Sequence, residues 1–205
     1  MGRSRLHDEA TATALLEAAE KIAETEGLQA LTVRRVAEKT GTTTRAVYTS
    51  LGSKQELLGR LGVRAFDALA AIVESLPPAN DPVADLVAAG TLGFRPFVLN
   101  HPALFQIGIQ QTFVPPEVAR TIVPAAERAL PALHGRIVRL RDAGRLGART
   151  VSEATWEYHA ACEGLAALEL RCWIRPEDGH RLWQDTLSSL VTGWQHVGLQ
   201  RSAKS

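Results

Sequence analysis

The chain has 205 residues and a formal net charge of only +1, and 45% of its residues are apolar. This length suits one or two small domains, and the apolar fraction argues against a disordered chain. Two cysteines, Cys162 and Cys172, are too few for a secreted scaffold stapled by disulfides. No apolar run approaches the roughly 20 residues that span a bilayer, and the polar N-terminus is unlike a signal peptide. We therefore expect a cytoplasmic protein with no membrane partner.

Apolar residues recur at helical spacing along most of the chain, so the sequence predicts an all-α fold. The first apolar stripe ends at Gly27, where a helix is expected to stop. Thr32 is then placed to cap a short helix that ends at Gly41. Thr43 is placed to cap a second short helix, which ends at Gly52.

A longer helix is predicted to begin at Ser53, because Ser53-Lys54-Gln55-Glu56 has the pattern of a capping box. A helix from Val83 to about Leu99 follows a proline-rich linker. The pattern of residues 117–142 is helical, but Pro124 and Pro131 predict a kink or a break there. The last two predicted helices cover residues 152 to about 172 and 177 to about 197.

The near-zero net charge conceals a basic segment. Residues 28–64 contain seven basic and only two acidic side chains. Such a concentration is typical of a module that binds a polyanion, although a solvated helix face gives the same pattern. A second basic run, within residues 136–149, is interpreted as a solvated helix face, with a partner or membrane surface as the alternative.

Two short helices joined by a glycine turn inside a basic segment have the order of a helix-turn-helix. The second helix of such a pair can enter the major groove and present its first turn to base edges. Helix N-termini at Thr32, Thr43 and Ser53 offer free amides to phosphates. A small helical bundle with short connections and no role in DNA binding would have the same order of elements.

The residues of this segment resemble a known family. EGLQALTVRRVA (residues 26–37) resembles the start of the DNA-binding domain of the TetR family of transcriptional regulators. TGTTTRAVY (residues 40–48) is similar to the turn and recognition helix of that family, and LGSKQELL (residues 51–58) to its next helix start. The family commonly has Phe where Leu51 stands and often Glu where Gln55 stands, and both departures keep the expected packing or cap.

The resemblance implies roles for seven side chains in DNA binding. Those matching phosphate-contacting positions are Thr32, Thr43, Tyr48 and Lys54. Those at exposed positions of the second short helix, as candidate base readers, are Thr44, Arg45 and Thr49. Arg45 has the geometry to pair with guanine through two hydrogen bonds.

The resemblance also implies a division of the chain and a function. Residues 1–64 are expected to form the helix-turn-helix domain, and residues 65–205 a helical domain for effector binding and dimerisation. The expected function is a homodimeric repressor, released from a palindromic operator by a small apolar or aromatic effector. The competing interpretation is a helical small-molecule-binding protein without a specific role at DNA.

An enzyme is the least favoured class. HExxH, GxSxG and a phosphate-binding glycine loop do not occur in the sequence, and the two cysteines are ten residues apart rather than in a CxxC motif. His159 and Cys162 are close enough on one helix to form a thiol–histidine pair, but nothing in the sequence supplies an oxyanion site. We expect no catalytic residue, no metal and no cofactor.

Apolar walls with a few polar groups describe small-molecule sites in general. The candidates for an effector pocket are Phe97, Phe105, Ile109, Phe113, Trp156, His159 and Glu163. Each of these residue types is also common in an ordinary core. His159 and Glu163 lie four residues apart, so they are as well placed to pair with each other as with a ligand.

The last two helices carry a pattern suited to helix pairing. Apolar side chains spaced 4, 3, 4 and 3 apart predict a seam on the last helix, at Trp183, Leu187, Leu190, Trp194 and Val197. Small residues on the preceding helix allow close approach, at Ala160, Gly164 and Ala167. Two such helices from each of two chains would form a four-helix dimer interface. The alternative is that the stripe packs on its own domain.

Overall fold

The computed structural model describes the backbone of residues 2–202 and the side chains of residues 9–195. Within residues 2–202 the chain forms helices joined by turns and contains no strand, which confirms the predicted all-α class. The N-terminal helices are α1 (Gly2–Glu26), α2 (Val33–Thr40), α3 (Thr44–Leu51) and α4 (Lys54–Ser75). They are followed by α5 (Pro82–Ala88), α6 (Arg95–Asn100), α7 (Pro102–Leu104), α8 (Pro116–Asp142), α9 (Val151–Leu170) and α10 (Pro176–Ser202).

Two of these helices continue directly into wider π-helical turns, which we name π1 (Ala89–Phe94, after α5) and π2 (Phe105–Ile109, after α7). In π1 the Arg95 N–H donates to the Gly90 carbonyl, a step of five residues rather than four. The helix predicted from Val83 to about Leu99 is therefore present, with one wider turn in its middle.

The chain folds into two compact units. The first comprises Met1–Asp67 and His101–Ala126, and the second comprises Ala68–Asn100 and Glu127–Ser205. The first unit thus reaches close to the predicted boundary at residue 64 but also takes in residues 101–126, which the sequence places in the C-terminal domain. One reason is Glu24 of α1, whose carboxylate accepts hydrogen bonds from the N–H groups of Ala103 (2.9 Å) and Leu104 (3.1 Å). Burial raises the pKa of Glu24, and these two hydrogen bonds oppose that shift.

The core of the first unit is built from the apolar stripes that the sequence displays. Among its buried side chains are Leu15, Ala19 and Ile22 of α1, Val33, Val36 and Ala37 of α2, Val47 and Leu51 of α3, and Leu57 and Leu61 of α4. The helices of this unit therefore turn their apolar faces inward. Their polar faces are left at the surface.

The second unit contains a buried ion-pair network. Asp85 of α5 is completely buried and accepts hydrogen bonds from Arg136 and Arg139 of α8 and from the Ala79 N–H. Arg136 also donates to the carbonyls of Val73 (2.9 Å) and Leu76 (3.0 Å) at the end of α4. Breaking such a network leaves a buried charge without a partner, which is strongly destabilising.

A tyrosine hydroxyl explains π1. The Tyr158 hydroxyl of α9 donates to the Leu86 carbonyl at 2.6 Å and accepts from the Gly90 N–H. These are the two groups that would bond each other in a regular α-helix, so the inserted hydroxyl widens the turn. Gly90 suits this position because a β-carbon there would collide with the Tyr158 hydroxyl and with Leu187.

The predicted break of α8 at its prolines is wrong, and a kink there stays a prediction. The helix runs unbroken through Pro124 and Pro131, and both prolines lie on its exposed side. The carbonyls that lose a partner are those of Arg120 and Glu127, which belong to exposed residues and can be solvated. Hydration of these two carbonyls therefore reduces the free-energy cost of the hydrogen bond lost at each proline.

One segment, Pro82–Asn100, is long and apolar enough to cross a membrane by composition, which differs from the expectation that no such run exists. More than half of it is buried within the protein, and it carries the buried Asp85. Its apolar side chains, such as Leu86 and Phe97, belong to the core of the second unit.

Candidate nucleic-acid interface

The two short helices α2 and α3 are capped as the sequence predicts. The Thr32 hydroxyl accepts from the Arg35 N–H at 3.1 Å, and the Thr43 hydroxyl accepts from the Ala46 N–H at 3.2 Å. Between the helices, Gly41 has φ +66°, a left-handed conformation that favours glycine. The order helix, glycine turn, helix is therefore confirmed in three dimensions.

Helix α3 has two distinct faces. Val47 and Leu51 are buried, and they fix the helix on the core of the first unit. The other face is exposed and carries the four predicted DNA-contacting side chains of this helix, Thr44, Arg45, Tyr48 and Thr49. Tyr48 is 56% exposed, which is high for an aromatic side chain and favours a surface role over packing.

The start of α4 is the predicted capping box. The Ser53 N–H donates to the Glu56 carboxylate at 2.8 Å, and the Glu56 N–H donates to the Ser53 hydroxyl at 3.2 Å. The hydrogen bond from the Ser53 backbone is the main cause that lowers the pKa of Glu56. Lys54, the first residue of α4, is exposed beside this cap.

Ion pairs neutralise much of the basic segment. The pairs are Arg34 with Glu38, Arg35 and Lys39 with Glu26, and Arg64 with Glu20. Glu26 closes α1, and its hydrogen bond from Arg35 is the main cause that lowers its pKa. Sequence reasoning missed Glu26, because no local motif marks an acidic residue whose partners are 9 and 13 positions away.

The cations left over in the basic segment are few. Within residues 28–64, all of which the structure describes with side chains, Arg45, Lys54 and Arg60 form no ion pair, and all three are exposed. Fewer cations are therefore free to contact a polyanion than the composition of the segment suggests. Arg45 and Lys54 lie at the starts of α3 and α4, where helix dipoles add positive potential.

Residues 15–61 match the family model described as bacterial regulatory proteins, tetR family. This chain carries a TetR-family DNA-binding domain. The match covers all of α2 and α3, and it includes the seven residues for which the resemblance implies a role at DNA. Among curated proteins, no relative matches the chain.

Solved structures share the fold over nearly the whole chain. A protein of unknown function from Rhodococcus sp. RHA1 is 21% identical with a TM-score of 0.77, over 89% of this chain and 94% of that one. The TetR family transcriptional regulator PfmR from Thermus thermophilus is 20% identical with a TM-score of 0.64, over 86% and 96%. A TetR variant from Acinetobacter baumannii AYE, in complex with minocycline, is 18% identical with a TM-score of 0.63, over 89% and 95%. The helices beyond the TetR-family domain therefore also follow the architecture of TetR-family regulators.

The predicted effector-pocket residues are divided between the two units. Phe105, Ile109 and Phe113 belong to the first unit, whereas Phe97, Trp156, His159 and Glu163 belong to the second. Phe97 and Phe105 are completely buried, as core residues are, and Phe113 and Trp156 are exposed. The expectation of one pocket lined by all seven residues stays a prediction.

Three of the candidates in the second unit lie together: Trp156, His159 and Glu163. The His159 ring makes T-shaped contacts with the rings of Phe94 and Trp156, each at a centroid distance of 6.0 Å, and its Nε2 lies 3.6 Å from the Glu163 carboxylate. Burial lowers the pKa of His159, and Glu163 opposes the shift.

The thiol of Cys162, on the same helix as His159, bears on the enzyme alternative. Burial raises the pKa of Cys162 to about 12, so this thiol is not a ready nucleophile near neutral pH.

A groove of about 400 Å³ lies between the α5–π1 segment and α10. Its apolar lining residues are Val83, Ala84, Val87, Ala88 and Leu92, and its polar ones are Asp81, Thr91, His180, Gln184 and Ser188. Sequence reasoning missed this groove, since it joins residues about 90 positions apart whose spacing carries no common motif. Its volume falls within the usual range of small-molecule sites.

The predicted dimer seam on α10 needs correction. Trp183, Leu187 and Trp194 are buried within the second unit, so they pack on their own chain rather than on a partner. Leu190 and Ala167 are half-buried, and Ala160 and Gly164 are exposed. The side chain of Val197 lies outside the described residues. The physical reason is that a 4, 3, 4, 3 spacing gives a helix an apolar face without specifying which chain covers it.

The second basic run is only in part the solvated face that the sequence predicts, because Arg136 is buried whereas Arg141 is exposed. Its arginines are paired with acidic side chains: Arg136 and Arg139 with Asp85, Arg141 with Asp142, Arg145 with Asp81, and Arg149 with Glu157. The pairs with the buried Asp85 give Arg136 and Arg139 a structural role, and the five pairs together leave little uncompensated charge for an anionic surface.

Proposed function

We propose that this chain is a sequence-specific transcriptional repressor that acts in the cytoplasm, by binding a palindromic operator. The observation that carries the proposal is that Arg45 and Lys54, at the starts of α3 and α4, are exposed and form no ion pair. Of the other basic side chains within residues 28–64, all but Arg60 are paired with Glu20, Glu26 or Glu38. A protein that needed these cations only for solubility would have no reason to keep two at adjacent helix N-termini.

The helix caps support the same proposal. The hydroxyls of Thr32 and Thr43 accept hydrogen bonds from the backbone, so each still has its own O–H to donate. The exposed Tyr48 phenol and Lys54 ammonium are further donors. Four donors, at the starts of α2, α3 and α4 and on α3 itself, suit phosphate oxygens on both sides of a major groove. The base-reading roles of Thr44, Arg45 and Thr49 are part of this proposal.

The experiment is selection of sheared genomic DNA from the source organism with the purified protein at about 150 mM salt, near physiological strength. Enrichment of a short palindromic site supports the proposal. Binding that is weak, equal for all sequences and abolished by salt contradicts it. That outcome would favour the helical small-molecule-binding protein, whose supporting observation is the groove between α5 and α10.

We further propose a homodimer, formed by the exposed side of α9 and α10. Trp156 is 60% exposed on α9, and Leu168 is also exposed. A β-carbon at Gly164 or Gly193 would meet no described atom within 4 Å, so none of the described residues requires glycine there. Glycine inside a helix costs about 0.5–1 kcal/mol relative to alanine, and close approach of another backbone is one reason to keep it.

The dimer proposal is tested by Gly164→Arg, which adds a charged side chain to the exposed side of α9. The sedimentation mass is expected to fall to that of one chain. Gly135→Arg is the matched control, because Gly135 of α8 also faces open space. A Gly164→Arg protein that sediments like the wild type would show that this face is not the interface.

The effector is proposed to be a small apolar or aromatic molecule. The cluster of Phe94, Trp156 and His159 offers aromatic surface beside the Glu163 carboxylate. The effector would prefer one conformation of the second unit, and α4, which runs from the first unit into the second, would carry the change to α3. A library of small aromatic compounds screened by thermal shift would identify it. Equal effector affinity for free and operator-bound protein would contradict release by this route.

A further inference from the structure

The exposed threonines of the nucleic-acid interface differ in what their hydroxyls are doing. Thr32 and Thr43 accept from backbone N–H groups, so their own protons remain available. Thr49 does the reverse, because its hydroxyl donates its proton to the Arg45 carbonyl at 2.9 Å, one turn back along α3. Thr49 therefore has no donor left for a phosphate or for a base acceptor such as guanine O6.

The group that Thr49 retains at the surface is apolar. With Oγ1 turned back along the helix to the Arg45 carbonyl, the γ-methyl is the remaining end of this exposed side chain. In the major groove, thymine is the one base that presents a methyl group, at C5. A threonine methyl against the thymine methyl buries apolar surface without needing a hydrogen bond.

We propose that Thr49 is a specificity-determining residue that selects thymine through its C5 methyl, a role that rests on the proposed operator-binding function. Arg45 supplies the neighbouring contact, because it lies four residues before Thr49 on the same side of α3. One helical turn rises about 5.4 Å and base pairs are about 3.4 Å apart. Each half-site thus contains a guanine and a thymine within about two base pairs of each other.

The test uses an operator duplex obtained by selection from random-sequence DNA, with each thymine replaced in turn by deoxyuridine. This replacement removes only the C5 methyl. Loss of one buried methyl contact weakens wild-type binding by about three- to fivefold per half-site, at a single position. Fluorescence anisotropy at fixed salt measures the dissociation constant for each duplex.

Two variants of Thr49 separate its methyl from its hydroxyl. Thr49→Ser keeps the hydroxyl and loses the methyl, so it binds thymine and deoxyuridine duplexes equally. Thr49→Val keeps a methyl and loses the hydroxyl, so it still discriminates. Thr25→Ser is the matched control, since the exposed Thr25 of α1 likewise donates its hydroxyl to a carbonyl one turn back, that of Lys21, and lies outside the proposed interface, so this variant keeps the wild-type discrimination.

Two results would overturn the inference. In the first, no thymine of the selected site is sensitive to deoxyuridine. In the second, Thr49→Ser keeps the wild-type preference for thymine. If Thr49→Val loses the preference in that second case, recognition is assigned to the hydroxyl oxygen as an acceptor. Failure to enrich any duplex refutes the proposed function itself and removes the basis of this inference, so the two failures are distinct.

Discussion

The indole N–H of Trp183 donates to the Glu169 carboxylate at 2.8 Å, and this bond ties α10 to α9 in the second unit. Arg95 donates to the same carboxylate. Further along the same helix pair, the Trp194 indole donates to Glu157 at 2.6 Å. The two tryptophans thus combine apolar burial with a polar bond at each end of the helix pair.

Replacing Trp183 by phenylalanine is expected to destabilise the protein by about 2–4 kcal/mol. The change removes a hydrogen bond to a buried carboxylate and leaves a small cavity. Chemical denaturation measures the loss. Trp173→Phe is the matched control, because Trp173 is 74% exposed and the same change there is expected to stay within about 0.5 kcal/mol. Equal effects of the two changes would refute the structural role of the bond.

Lys54→Ala is expected to weaken binding to every DNA sequence and to lower the slope of log affinity against log salt by about 0.9, the contribution of one phosphate contact. Lys39→Ala is the matched control, since Lys39 is paired with Glu26. Binding titrations at several salt concentrations measure both slopes. If Lys39→Ala changed the slope as much as Lys54→Ala, the absence of an ion pair would not determine which lysine contacts phosphate.

Arg45→Ala is expected to cost about 1–3 kcal/mol in operator binding and to relax the preference at one base pair in each half-site. The measurement is binding to a set of operators that carries every single base substitution. Arg34→Ala provides the comparison, because Arg34 is exposed on α2 but paired with Glu38. Unchanged base preferences in Arg45→Ala would contradict a reading role for Arg45.

His159 is expected to make the stability depend on pH. Burial lowers its pKa in the folded state, so the unfolded chain takes up the proton first as the pH falls. Stability is therefore complete above the unfolded pKa of about 6.5 and declines as the pH falls through the lower folded value. Thermal unfolding at pH 7.5 and 5.5 measures the decline, which His159→Asn is expected to reduce. The exposed His180→Asn serves as control, and an equal reduction there would contradict the assignment.

Local signals in the sequence proved reliable. The caps at Thr32 and Thr43 and the capping box at Ser53 each depend on groups within three residues, so a single stretch of sequence specifies them. The left-handed conformation at Gly41 is equally local. This is why the helix-turn-helix, and with it the exposed face of α3, was predictable from the residues.

Contacts between distant residues were not predictable in the same way. The apolar stripe at Trp183, Leu187 and Trp194 correctly indicated a buried helix face, but its cover turned out to be the same chain. The pairing of Arg136 with Asp85 joins residues 51 positions apart, and the sequence shows them only as separate charges. Which helices pack together determines whether the same chain or a partner covers an apolar face, and which charges pair. Periodicity in the sequence does not show this.

The hydroxyl of Tyr158, placed between the Leu86 carbonyl and the Gly90 N–H, has a consequence for chain length. A π turn holds one residue more than the α turn it replaces, and each residue of an α-helix turns the chain by about 100°. Deleting one residue from π1 would close that turn and leave no room for the hydroxyl. A variant with one residue deleted from π1 would therefore keep Phe97 in the core only if it also carried the substitution Tyr158→Phe.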